Sequence, residues 1–226
     1  MSEILFRCSS IGKLMTEPKT KAEGPLSVGA KTYIRQLAAQ EIFGVDFEVS
    51  SKQMEKGILV EPESIALINR VRSLALTKNT ERKKNEFITG EADLFDAQRN
   101  RGHDAKSSWS AATFPILPID CEDKLYEWQM RGYMALWDAS EWEVNYCLIN
   151  TPEHLIGFEP LTMHFFDHIP ERHRLTTWTV KREAVKEAAI FEKVKQARDY
   201  FLQVIADFDK EHPADMPVSL VEPETV

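Results

Sequence analysis

Apolar residues recur along this chain in two periods, and the switches between them outline its elements. Across residues 30–43, Ile34, Leu37, Ala38 and Ile42 follow the turn of a helix, and Gly44 supplies a left-handed stop. Residues 51–76 carry a second helical stretch with Ser51 as its cap. Pro62 lies inside it and has no amide hydrogen, so it either kinks that helix or opens a new one. Residues 121–137 show an apolar and aromatic stripe of Leu125, Trp128, Tyr133, Leu136 and Trp137. Residues 179–208 read as a long amphipathic helix with Val185, Ala189, Val194, Phe201, Val204 and Ile205 turned inward. Strict alternation takes over at residues 141–149. There Trp142, Val144, Tyr146 and Leu148 face one way and Glu141, Glu143 and Asn145 the other, which predicts a strand with one polar face.

Residues 90–108 read as two short strands joined by a polar turn, with Asp93 in the first and Asp104 and Lys106 in the second. Near the start, residues 4–6 are apolar, and Ser9 or Ser10 caps a short helix that includes Gly12 and Lys13. Residues 18–29 and 77–86 read as loops, the second of them basic. Residues 107–120, with Trp109, Phe114 and two prolines, form a connection long enough to border a site. Residues 151–179 read as irregular, and the tail from residue 211, rich in prolines and acids, as mobile. Helices alternating with strands predict an α/β fold.

A length of 226 residues suits one such domain with additions. There is no run of 18 apolar residues and no basic segment leading into an apolar one near Met1, so neither a membrane span nor a secretory signal is expected. Cys8, Cys121 and Cys147 are widely spaced and odd in number, which argues against a zinc site or a disulfide framework and fits a reducing cytoplasm. The formal net charge of −8 argues against a protein that coats nucleic acid. It leaves room for a local basic groove, and basic residues do gather at Arg70, Arg72, Lys78, Arg82, Lys83 and Lys84, and again at Arg172, Arg174, Lys181 and Arg182.

The candidate chemistry lies in the predicted hairpin. Side chains two apart on a strand share a face, so Asp104 and Lys106 point together, and the hairpin can bring Asp93 to the same spot. Two carboxylates converging there call for a cation, and hard divalent ions take oxygen ligands of this kind. Lys106 is then free to hold an attacking water. The plainer reading is a solvated hairpin edge. Glu61, beside Pro62 and flanked by Ile58, Leu59 and Ile65, is either a partly buried acid or an exposed one. Gln129 and Tyr133 share a helix face at i and i+4. Ser9 and Ser10 at a helix start could receive a phosphate or serve as a plain cap. The histidines, at His103, His154, His164, His168, His173 and His212, show no HxH spacing.

In order, the pieces are Ser9-Ser10, Gly57-xxx-Glu61, Gly90-xx-Asp93, Asp104-x-Lys106 and Gln129-xxx-Tyr133. This set resembles the PD-(D/E)xK nucleases, and within them the lambda exonuclease branch of YqaJ-type viral recombinases and the nuclease domain of the RecBCD helicase-nuclease. The resemblance spans residues 9–149. It implies a restriction-endonuclease-like core, a mixed central β-sheet flanked by helices, and the chain then reads as a single nuclease domain over residues 1–226, with the long helix as a C-terminal extension over residues 179–209 that carries no family motif. It implies Asp93 and Asp104 as metal ligands with the Ala105 carbonyl, Glu61 as a further ligand, Lys106 as the residue that positions water, and Gln129 as its orienter. It implies DNA or 5′-phosphate contacts from Ser9, Ser10, Tyr133 and, in place of the family's arginine, Arg7 or Lys13. The implied cofactor is Mg²⁺, with Mn²⁺ as a substitute. The implied activity is digestion of one strand of linear duplex DNA, 5′ to 3′, by a homotrimeric ring that works with a single-strand annealing protein. Alternatives within reach of the same residues are an endonuclease, a single-strand exonuclease of other polarity, and an inactive DNA-binding module. The triplet has Asp104 where glutamate is commoner, and the gap from Asp93 is long, with Arg99 and Arg101 at its tip.

Overall fold

A computed structural model of the chain describes residues 4–47 and 50–213. Its elements run β1 (Phe6–Arg7), α1 (Cys8–Leu14), α2 (Val28–Phe43), α3 (Lys52–Leu59), α4 (Glu61–Arg72), β2 (Arg82–Lys84), β3 (Ile88–Glu91), β4 (Leu94–Asp96), β5 (Arg101–Ser107), α5 (Lys124–Trp137), β6 (Glu141–Cys147), α6 (Glu153–Ile156), β7 (Leu175–Lys181) and α7 (Ala184–Glu211). The strands form two mixed sheets in the orders β1-β3-β2 and β4-β5-β6-β7. Only Ala92 and Asp93 separate β3 from β4, so the chain passes from one sheet to the other across Asp93. β5 pairs antiparallel with β4 and parallel with β6. Its neighbours on both sides are therefore strands, and its polar triplet is held in a fixed register.

Helices cover both faces. α1, α2, α5 and α7 enclose the larger core, in which Phe6, Ile11, Ile34, Ile88, Met130, Trp142, Ile190 and Val194 are buried together. On the other face Val60, Ile65, Leu67 and Ile68 of the α3–α4 segment pack on Leu94, Cys147 and Ile149. Close approach matters most at Gly102. A side chain there would put its first carbon 2.3 Å from the Trp142 indole on the neighbouring strand.

Local rules account for most element ends. Ser27 and Ser51 cap α2 and α3 by accepting the amides of Ala30 and Met54. Gly44 closes α2 at φ 63°. Pro62 resolves as a new helix start: α3 ends at Leu59, and α4 begins at Glu61 with the proline in its first turn. Gly57 and Glu61 are consequently on two helices, not one.

Several expectations need correction. Arg7 stands at the cap position of α1, and Ser9 and Ser10 lie inside its first turn. The 77–86 loop contains β2, whose partner β3 lies after it, so no local alternation marks it. The 151–179 region ends in β7, whose pairing with β6 spans the whole length of both strands. The polar face of β6 is buried: Glu143 takes a hydrogen bond of 2.8 Å from Arg72 of α4, and Asn145 takes one of 2.9 Å from Thr177. Here an ion-pair layer replaces solvent. α7 starts at Ala184, so Val185 sits in its first turn; Val185 and Ala189 are exposed, while Ile190, Val194, Ala197 and Phe201 form the packed stripe. The tail expected to be mobile lies, from residue 214 on, outside the described residues. The three cysteines are buried and unpaired. Among the described residues no helix is long and apolar enough to cross a membrane.

Replacing Gly102 with alanine should force Trp142 or β5 to shift, at about 1–3 kcal/mol for an overpacked core. The expected outcome is a melting temperature lower by roughly 3–10 °C, read by circular dichroism.

Candidate active site

The β4–β5 hairpin pairs Leu94 with His103, Phe95 with Gly102 and Asp96 with Arg101. Extending that register by one step sets Asp93 beside Asp104 and Ala105. Asp93 Oδ2 accepts the Ala105 amide at 2.7 Å. Asp104 is 2 % exposed, and its Oδ2 lies 2.8 Å from the Lys106 ammonium. The alternation of β5 thus sends Asp104 and Lys106 to one face, as expected, and the hairpin closes on them from Asp93.

α5 supplies the other wall. Asp123 caps it by accepting the amides of Leu125 and Tyr126. Gln129 reaches Asp104 Oδ1 at 3.4 Å and the Tyr133 hydroxyl at 3.1 Å. Gln129 therefore steadies Asp104, whereas Lys106 is steadied by the ring of Tyr126, 4.6 Å from its ammonium. Tyr133 is buried: its hydroxyl donates to the Glu91 carbonyl at 3.0 Å, and its ring packs against Gly90 and Trp142. Gly90 has no side chain to keep the tyrosine out, and its ring fills that space.

The electrostatics follow from this packing. Burial pushes the Asp93 carboxyl up to about 7, Asp104 adds repulsion, and the Ala105 amide and Lys106 pull it back. Burial alone would lower Lys106, but the charge and hydrogen bond of Asp104 hold its pKa above the usual lysine value. Lys106 is therefore an ammonium at neutral pH.

Glu61 opens α4 at the rim of the same region, and its charge reaches Asp93. Its carboxylate is 22 % exposed and is bound by the Lys78 ammonium. Among the described residues, no three carboxylate, imidazole or thiolate side chains stand close enough together to hold a metal. The donors do fit one in chemistry. Asp104 Oδ2 is buried and, among the described residues, receives no hydrogen bond beyond its ion pair with Lys106. Asp93, Asp104 and the Ala105 carbonyl are oxygen donors of the kind Mg²⁺ or Mn²⁺ takes, and Glu61 could join them if it left Lys78.

The expected phosphate residues gather separately. Ser10 hydrogen-bonds Tyr33, Arg7 acts on the same tyrosine through its charge, and Lys13 stands 5.0 Å over the Tyr33 ring. Ser9 is exposed on α1 beside them. β1 pairs parallel with β3, Arg7 opposite Thr89, which connects this basic corner to the strand leading into Asp93. At the hairpin tip, Arg99 pairs with Asp96 at 2.6 Å, and Arg101 is bound by Glu141 and Glu143. Tyr126, Lys78 and Tyr33 were not foreseen. Tyr126 lies on the face of α5 that carries Gln129, at i and i+3, and that spacing could have pointed to it. Lys78 and Tyr33 left no such signal.

Asp93 is the charge this arrangement tolerates least. In protein free of divalent cations, Asp93→Asn keeps an acceptor for the Ala105 amide and removes the repulsion with Asp104. Because the folded-state pKa is raised, the wild type loses stability as pH climbs from about 4 to about 7. The variant should therefore melt about 2–6 °C higher at pH 8, and the gain should largely vanish at about pH 4. Thermal denaturation in EDTA at both pH values checks this.

No protein-family model and no curated protein matches the chain. Among solved structures, a phage-related exonuclease from Haemophilus somnus 129PT is similar over 91 % of this chain and 97 % of its own, with a TM-score of 0.86 and 34 % sequence identity. An alkaline exonuclease, LHK-Exo, from Laribacter hongkongensis shares the fold at 13 % identity, covering 92 % of each chain with a TM-score of 0.66. Its complex with dAMP is similar at a TM-score of 0.62 and 15 % identity, again over 92 % of each chain. With Asp93, Asp104 and Lys106 brought together at one hairpin and a relative at this identity and coverage, the chain belongs to the lambda exonuclease (YqaJ-type) family of PD-(D/E)xK nucleases.

Proposed function

We propose that this nuclease is a divalent-metal-dependent exonuclease that digests one strand of linear duplex DNA from its 5′ end and leaves 3′ single-stranded tails for recombination by strand annealing. The observation that carries the reading is the juxtaposition of Asp93, Asp104 and Lys106 around the Ala105 peptide. Asp93, Asp104 and the Ala105 carbonyl would hold Mg²⁺, with Mn²⁺ as a substitute, and Glu61 would join from α4. A divalent cation at that position supplies Lewis-acid polarisation of the phosphate and a lowered pKa for the attacking water.

The protein's own residues do the rest. Lys106, kept protonated by Asp104, donates from Nζ and so positions the attacking water against the phosphate. Tyr126 restricts where that ammonium can go. Gln129 fixes the Asp104 carboxylate from behind. The hydrolysis itself is balanced by water: its oxygen bonds to phosphorus, one ester P–O bond breaks, and the departing oxygen takes a proton. Arg7, Ser9, Ser10 and Lys13, beside Tyr33, are the residues we assign to a 5′-phosphate, which would set the polarity. A homotrimeric ring around the duplex would make the digestion processive, and the tail it leaves is the substrate of a single-strand annealing protein.

The test uses linear duplex with and without 5′-phosphates, and a closed circle, in Mg²⁺ and in EDTA. Linear DNA should be degraded in Mg²⁺ alone, with the phosphorylated end preferred, and the circle should survive. Lys106→Met should lower kcat by about 10²–10⁴-fold and leave DNA binding in place. Cleavage of the circle, activity in EDTA, or an unimpaired Lys106→Met variant would contradict the reading.

A further inference from the structure

The carboxylates of the site are matched with lysines in an uneven way. Asp104 has Lys106 and Glu61 has Lys78, while Asp93 accepts the Ala105 amide and, among the described residues, forms no ion pair of its own. The two lysines differ in freedom. Lys106 projects from the middle of a sheet, is 24 % exposed and lies under Tyr126. Lys78 is 49 % exposed and stands on the connection between α4 and β2.

That connection is not loosely placed. Asn79 donates its backbone amide to the Asp93 carbonyl at 2.7 Å, and its side chain donates to the Ala92 carbonyl at 3.0 Å and the Glu81 carbonyl at 2.9 Å. Asn79 fastens the segment to the very peptides that present Asp93, and so delivers the neighbouring Lys78 to the carboxylates. Glu61, Asp93 and Glu91 all act on Lys78 and raise its pKa, the Glu61 hydrogen bond most. It is therefore an ammonium at neutral pH.

We propose that Lys78 is a resident counter-cation of the site: it binds Glu61 in the metal-free protein and competes with a divalent cation for that carboxylate, so metal entry requires its release. The inference rests on the metal-dependent reading above. A lysine with an exposed, flexible stem can leave for solvent at little cost, whereas Lys106 cannot. Glu61 is not free to join Asp93 and Asp104 while Lys78 holds it, in keeping with the lack of any three-ligand cluster among the described residues. Lys78 is thus a positioning residue for Glu61.

The test is calorimetric titration of Mn²⁺ into wild type, Lys78→Met, Lys78→Arg and Lys84→Met, without DNA. Removing the competitor should tighten Mn²⁺ binding by about 3–10-fold in Lys78→Met. Lys78→Arg keeps the charge and the ion pair and should bind no tighter than wild type. Lys84, on the same basic segment but paired across from Thr89 in β2, serves as the charge control, and its variant should match wild type. Equal affinity in wild type and Lys78→Met, or equal tightening in Lys84→Met, overturns the role of Lys78 and leaves the metal site standing. A wild type that binds no Mn²⁺ overturns both.

Discussion

One hydrogen bond, from the Ala105 amide to Asp93 at 2.7 Å, sets the geometry of the candidate site. It ties the peptide where the chain crosses from one sheet to the other to the strand at the centre of the second sheet. Asp93 consequently stands against Asp104 in a setting with little water, and the two acids repel. The surroundings manage that repulsion: the Lys106 ammonium sits on Asp104, Gln129 holds the other Asp104 oxygen, and Lys78 draws off Glu61. Like charge strains such a site, and the cations around it relieve the repulsion.

The same strand shows how one β-strand serves two faces. Asp104 and Lys106 point to the side of α5. His103, one residue earlier, points to the side of α4, where it meets Glu143 at 3.1 Å, in a layer that also holds Arg72 and Arg101. This buried ionic layer fixes the register of β5 against β6, and register decides whether the triplet meets Asp93 at all. The stability of one face thus sets the geometry of the other. Lys56 reinforces this at the end of β5: it is fully buried and donates to the carbonyls of Ser108 and Trp109 at 2.6 and 3.1 Å.

What could be read from the sequence was local in origin. The hairpin pattern brought Asp93, Asp104 and Lys106 together because strand alternation has a period of two, and Gly44 and Pro62 acted through φ and a missing amide. The long amphipathic helix was legible, but its first turn was misjudged, since a Val185 outside the packed stripe looks in sequence like one inside it. What stayed hidden depended on partners far along the chain. β2 and β7 owe their form to β3 and β6. The polar side of β6 looked solvent-facing, because Arg72 lies 71 residues from Glu143. Tyr133 matched a family position by spacing, yet only the fold reveals Gly90 opposite its ring. Glu61 was identified by its place before a proline, while Lys78, its partner, is 17 residues away in a connection without pattern.

The central claim is that Asp93, Asp104 and the Ala105 carbonyl form a divalent-cation site. A crystal soaked in Mn²⁺ and measured at a wavelength where manganese scatters anomalously tests it most directly. An anomalous peak is expected between Asp93 and Asp104, within about 2.0–2.4 Å of their carboxylate oxygens and the Ala105 carbonyl. A well-ordered, unoccupied site at millimolar Mn²⁺, or a peak elsewhere with Asp93 and Asp104 unchanged, would contradict it.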